Sequence, residues 1–133
     1  ENGAYPIITA DDQEIAFYAD IDNDGRIEQV RYFLSGNSFI RGLIEPGSLP
    51  NIYDPSNEVV TTINEFITNG VDPVFYYYNG DWPGDTVNNP LPVNERLLDT
   101  RLVRVELRVN TDPQQQESIT VSTQLMIRNL KSN

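Results

Sequence analysis

The sequence predicts a mainly β domain, built of antiparallel strands that pack as a sandwich. Three observations predict it. Apolar residues alternate with polar ones at Ile15, Phe17, Ala19 and Ile21, at Val30, Tyr32 and Leu34, and again at Val103, Val105, Leu107 and Val109, the period of half-buried strands. Turn-forming clusters separate these runs, at Ser35-Gly36-Asn37-Ser38 and Asn79-Gly80. The chain is 133 residues long, one domain's worth and enough to bury a real core.

Each element follows in order. Residues 1–12 read as a short lead-in, and a hairpin fills 14–34. Phe39 to Ile44 reads as a third strand returning beside the second. Residues 45–57 carry three prolines and form an irregular surface connection. Glu58 to Ile67 is ambiguous, because Val59, Val60, Thr61 and Thr62 favour a strand while Ile63, Phe66 and Ile67 could line one helical face. A strand followed by a short turn is the favoured reading. Pro73 to Tyr78 is aromatic and strand-like, and a polar, proline-containing excursion runs over 81–94. Ile119, Val121, Leu125 and Ile127 are expected to bury one face opposite the 103–109 strand, across a connection at 110–117 that holds Asp112-Pro113 and three glutamines. Two sheets, or one strongly curved sheet, are needed to bury these apolar faces.

The tip of the first hairpin carries the clearest chemistry. It reads Asp20-Ile-Asp22-Asn-Asp24-Gly25-Arg26-Ile27-Glu28, with oxygen-bearing side chains at loop positions one, three, five and nine and glycine at six. Calcium takes six to eight hard oxygen ligands at roughly 2.3–2.6 Å. Asp20, Asp22, Asp24 and Glu28 would supply side-chain oxygens and Arg26 its backbone carbonyl, with water or another segment completing the shell. A helix-flanked EF-hand wants a bidentate Glu at position twelve, where this chain has Arg31; its flanks also alternate as strands. The spacing is instead similar to the strand–loop–strand calcium hairpin, D-x-D-x-D-G-x-x-D/E, of extracellular β-proteins. Asp, Asn and Gly are also ordinary turn formers, and a solvated acidic tip would share them.

Composition narrows the remaining classes. There are 20 Asp plus Glu against 9 Lys plus Arg, for a formal charge of −11, which disfavours nucleic acid and anionic lipid as partners. The chain has no Cys and no His, which removes disulfides, thiolate chemistry, an imidazole base and the usual zinc site. The one lysine, Lys131, lies near the end of the chain, so Ser-Lys catalysis is not expected. Asp81, Asp85 and Glu95 near Trp82 could be imagined as a hydrolytic acid pair, but solvating a long loop accounts for them. Trp82 could stack on a sugar or anchor a partner; folding back to plug the core edge is the favoured reading. No apolar run approaches the roughly 20 residues of a membrane-spanning helix. The start at Glu1, without an initiator Met, is that expected of an excised or processed segment.

FYADIDNDGRIEQVRYFL, then Pro73-Val-Phe-Tyr-Tyr-Tyr78, Leu102-Val-Arg-Val-Glu-Leu107 and the closing Ser122-Thr-Gln-Leu-Met-Ile-Arg-Asn-Leu130 together resemble the globular head of prepilin-type proteins. The likeness spans residues 13–130 and is greatest to the J-type minor pseudopilins of type II secretion systems and to type IV minor pilins. The resemblance implies a non-enzymatic assembly subunit whose partners are other pilin or pseudopilin subunits. It also implies an apolar N-terminal helix, absent here, that would make the whole protein α+β. Only that helix would meet the membrane, anchoring the subunit in the inner membrane with its head in the periplasm or outside the cell. Some pseudopilins bind Ca²⁺. The alternative is a secreted, calcium-stabilised β-sandwich module that binds carbohydrate or protein.

Overall fold

The alternating runs become two antiparallel sheets in a computed structural model that describes residues 7–48, 52–112 and 117–126. Sheet A is a five-stranded meander of β1 (Ile7–Ala10), β2 (Glu14–Ala19), β3 (Glu28–Ser35), β4 (Ser38–Ile44) and β5 (Val59–Asn64), paired in sequence order. Gly36, at φ +59°, permits the two-residue turn joining β3 to β4, so that Ser35 faces Ser38 and Gln29 faces Ile44. Sheet B is β6 (Phe75–Tyr78), β7 (Leu102–Asp112) and β8 (Glu117–Met126). Between β6 and β7 lie a 3₁₀ turn (Val93–Glu95) and a single helical turn, α1 (Arg96–Asp99).

Register decides which side chains meet. Ile15, Tyr32, Arg41 and Thr61 form one row across sheet A, and Phe17, Val30, Leu43 and Val59 the next. Aromatic rings then carry this face toward sheet B. Phe17 stacks with Tyr32 at 6.3 Å between centroids, Tyr32 with Phe39 at 5.7 Å, and Phe39 meets Phe75 of β6 at 6.1 Å. Offset aromatic pairs of this kind add to the area they bury. The inner row of β7, Val103, Val105 and Leu107, closes the core with Val74, Phe75, Tyr77, Ile67 and Leu91.

On the other face of sheet A, Arg31 donates to Glu58 at 2.6 and 3.0 Å and reaches Glu14 at 3.5 Å. The Glu58 carboxylate occupies the space where any Cβ at Gly42 would sit. Gly42 is therefore small so that an ion pair can lie flat on the sheet.

Several expectations need correction. The lead-in contains a strand, β1, whose Ile7 and Ala10 are core residues. Ile21 does not continue the β2 alternation: β2 ends at Ala19, and Ile21 is an exposed loop residue because the chain has turned to form the acidic tip. The ambiguous segment, by contrast, follows the favoured reading, with β5 succeeded by an irregular stretch in which Phe66 sits at φ +62°. Ile119 and Val121 alternate as expected but are 53% and 47% exposed. They stand beside the inner row of β7, at Val109 and Leu107, in the outermost strand of the sheet. Ile127, the 128–130 end of the resemblance, Lys131, and parts of the two connections (49–51 and 113–116) lie outside the described residues.

The contrast between the seam and β8 is measurable. Phe75→Ala, at a position 2% exposed, should cost about 3–5 kcal/mol in urea unfolding. Val121→Ala should stay within about 0.5 kcal/mol of the parent. Equal losses at the two positions would place the core elsewhere.

Candidate metal centre

The last register pair of the first hairpin is Ala19 with Glu28, so residues 20–27 form a tip that projects beyond the sheet. Two left-handed residues bend it, Asn23 at φ +61° and Gly25 at φ +83°. Asn tolerates that region and Gly enters it without strain. Asp20 then braces the turn through both oxygens: Oδ1 accepts the Asp24 N–H at 3.1 Å and Oδ2 the Gly25 N–H at 2.8 Å. Asp24 Oδ1 accepts the Arg26 N–H at 2.8 Å. Each carboxylate oxygen has two lone pairs, so these bonds leave acceptor capacity for a cation.

The result is convergence. Asp20, Asp22, Asp24 and Glu28 each offer a carboxylate oxygen, and all four oxygens lie within 4.8 Å of one another. Glu28 differs from the other three in being completely buried. Its Oε1 accepts the Ile21 N–H at 2.7 Å, closing the base of the loop. Its Oε2 is buried and has no hydrogen-bond partner among the described residues. A buried carboxylate oxygen without a partner is costly, and a cation held by the cluster would remove that cost.

The electrostatics follow the crowding. Burial, above all, raises the Glu28 carboxyl above its ordinary value; the Ile21 amide opposes this, while Glu45 and Asp24 add to it. Asp22 is also raised, first by desolvation and then by Asp24 and Glu28. Asp24 is lowered, chiefly by the Arg26 N–H. Without a cation, the crowded loop thus makes Glu28 and Asp22 harder to ionise than free carboxyls.

The four acids that the spacing singles out are brought together as expected. Arg26 holds the loop from outside the cluster, its guanidinium donating to the Pro46 carbonyl at 2.7 Å. Sequence reasoning misses Glu45, whose carboxylate neighbours Glu28, and Tyr53, whose hydroxyl donates to the Ile27 carbonyl at 2.8 Å. A signal for Glu45 exists in the short Gly36-Asn37 turn, because the register it sets brings residue 45 to the level of residue 28. Tyr53 has no comparable local signal.

Of the loop acids near Trp82, Asp85 takes a structural part. Asp85 accepts from the Val87 and Asn88 N–H groups and from the Asn88 side chain, which lowers its carboxyl. Trp82 folds back onto Tyr78, with ring centroids 4.5 Å apart. Comparison with protein-family models and with curated proteins returned no match to this chain.

The raised carboxyl of Glu28 fixes a sign. Its protonated form is favoured in the fold, so its contribution is present below the ordinary carboxylate pKa and is lost as pH rises through the raised folded value. In chelator, Glu28→Gln should therefore melt above the parent at neutral pH, with the gap closing in acid. Thermal melts across the carboxylate range check this, and a gap that does not change with pH would contradict it.

Proposed function

We propose that this chain is the head domain of a pilin-like or pseudopilin-like subunit, stabilised by a structural Ca²⁺ in the β2–β3 loop and acting by protein–protein assembly rather than catalysis. The observation that carries the calcium reading is Glu28, a fully buried carboxylate whose Oε2 lacks a partner, within 4.8 Å of three aspartate oxygens. An all-oxygen, carboxylate-rich set suits a hard cation, whereas zinc favours nitrogen and sulfur.

Asp20, Asp22, Asp24 and Glu28 would hold the ion by side chains and Arg26 by its carbonyl, with water completing the shell. The ion would neutralise clustered carboxylates whose repulsion opposes the loop's folded shape. Its effect would extend along the chain, because Arg26 and Tyr53 tie this loop to the 45–58 connection.

The filament reading rests on the resemblance, and the two-sheet antiparallel fold is compatible with it. It places the head in the periplasm or outside the cell, with other pilin or pseudopilin subunits as partners. Codons upstream of Glu1 in the native gene test it. A basic leader, a Gly-Phe-type cleavage site and some 20 apolar residues are expected, and a polar linker or another folded domain would sink it. The packing of Trp82 on Tyr78 favours a core plug over a sugar-stacking platform, which weakens the carbohydrate-binding alternative.

Calcium at about 100 times its Kd should add about 2.7 kcal/mol, raising Tm on the order of 10 °C for a domain of this size. Asp22→Ala should abolish the rise. Superimposable melts in calcium and in chelator would remove the site.

A further inference from the structure

The outer edge of β5 has features that packing among the described residues does not explain. Among the described residues β5 pairs only with β4, through its inner side. All six of its residues are exposed, Val59 by 61%, Val60 by 54% and Ile63 by 44%. An edge strand offers a row of free N–H and C=O groups, and proteins usually blunt such edges with Lys, Pro or a bulge. The sequence Val-Val-Thr-Thr-Ile-Asn has no charge, no proline and no glycine. One register irregularity falls near Asn64, opposite Phe39 and Ile40. Residues 59–62 remain a regular, β-branched pairing edge.

A second observation lies two residues beyond the strand. Phe66 sits at φ +62° and is 53% exposed. The left-handed region strains a residue with a Cβ, and burial of the Phe66 side chain does not offset that strain. The conformation is held by backbone bonds, from the Asn110 N–H to the Phe66 carbonyl and from the Ile67 N–H to Asn37, both 2.8 Å. Phe66 borders a hollow of about 320 Å³ lined also by Ile67, Gly70 and Asn37. The open edge ends before Phe66, because Ile67 bridges Val109 of β7, and an exposed, conformationally fixed aromatic at the end of such an edge has the character of a binding anchor.

Charge indicates the occupant. The exposed Asp54 stands near one end of β5 and the exposed Glu65 at the other, while Glu58 between Asp54 and the strand is already paired with Arg31. The whole chain carries −11, so a second copy would bring the same charge against it. We propose that the outer edge of β5, with Phe66 as its anchor, takes up an extended segment of a different protein as a sixth strand of sheet A. The centre of that segment is β-branched or apolar and its flanks carry Lys or Arg. This is strand addition, in which main-chain bonds give affinity and alternate side chains give specificity. It is independent of the ion in the β2–β3 loop.

The test uses two end-blocked peptides, KRTVTVTRK and its charge-reversed partner EDTVTVTDE, with the chain held in excess calcium. The basic peptide should slow hydrogen exchange of the outward amides of 59–62 and shift the Phe66 ring resonances. The reversed peptide should bind at least about tenfold more weakly. Glu65→Lys, an exposed change, should narrow that preference about threefold, and Phe66→Ala should weaken the basic peptide about tenfold. Val121→Ser on β8 should leave binding unchanged. Equal binding of the two peptides, protection elsewhere on the surface, or no binding at millimolar concentration would overturn the proposal. So would self-association of the chain through β5, or outward β5 amides that already exchange slowly in the chain alone.

Discussion

Sheets A and B are separate hydrogen-bonded units, and much of what fixes one against the other passes through Tyr77 and the Asp11–Asp12 backbone. Tyr77 is fully buried, and its hydroxyl donates to the Asp11 carbonyl at 2.7 Å. The Asp12 carbonyl accepts the N–H groups of Val74 and Phe75. Arg96 lies over the Tyr77 ring at 4.7 Å and bonds the carbonyls of Ala10 and Leu91 and the Asp12 carboxylate. The turn between β1 and β2 is thereby bonded to β6 and α1 from several sides. The same attachment holds Phe75 at the end of the aromatic chain that begins at Phe17. Burial also raises the Tyr77 phenol well above its ordinary value, so the hydroxyl remains a donor throughout the ordinary pH range.

The acidic loop occupies the opposite end of the same sheet, and Glu28 belongs to both regions. It is the first residue of β3 and has no exposed surface, yet its carboxylate is part of the tip cluster. A charge usually belongs in water, and placing one at the head of a strand is unfavourable unless something pairs with it. One oxygen is satisfied by Ile21 and the other is not. That asymmetry distinguishes this tip from an ordinary solvated turn, where every carboxylate would face water.

Local periodicity makes much of this architecture legible in the sequence. The β2–β3 hairpin, β4, β6 and β7 can be read because apolar residues recur at every second position between clear turn signals. The four loop acids are legible for the same reason, since their spacing is local. Long-range compensation makes the rest opaque. β1 is only four residues long and is held by pairing with β2 and by contacts from Arg96. The exposure of Ile119 and Val121 goes with the outermost place of β8 in sheet B, which their own alternation does not record. Asn69 sits in an unremarkable polar stretch but is buried, donating to the Pro73 and Glu106 carbonyls and accepting from the Arg108 N–H. Nothing near it in the sequence marks it as a brace between β7 and the segment before β6.

The order of strands also sets an order in time. Every pairing in sheet A joins neighbours along the chain, so the meander can be complete once Asn64 has been made. The residues that cover its aromatic face, from Val74 to Leu107, come later. At roughly 5–20 residues per second of synthesis, that delay lasts on the order of 2–9 s. Throughout it a finished sheet would present Ile15, Tyr32 and Phe39 to whatever is nearby. A chain that folds as it is made would pass through a stage with its stickiest surface uncovered, when a chaperone or a neighbouring nascent chain could reach it before its own second sheet does.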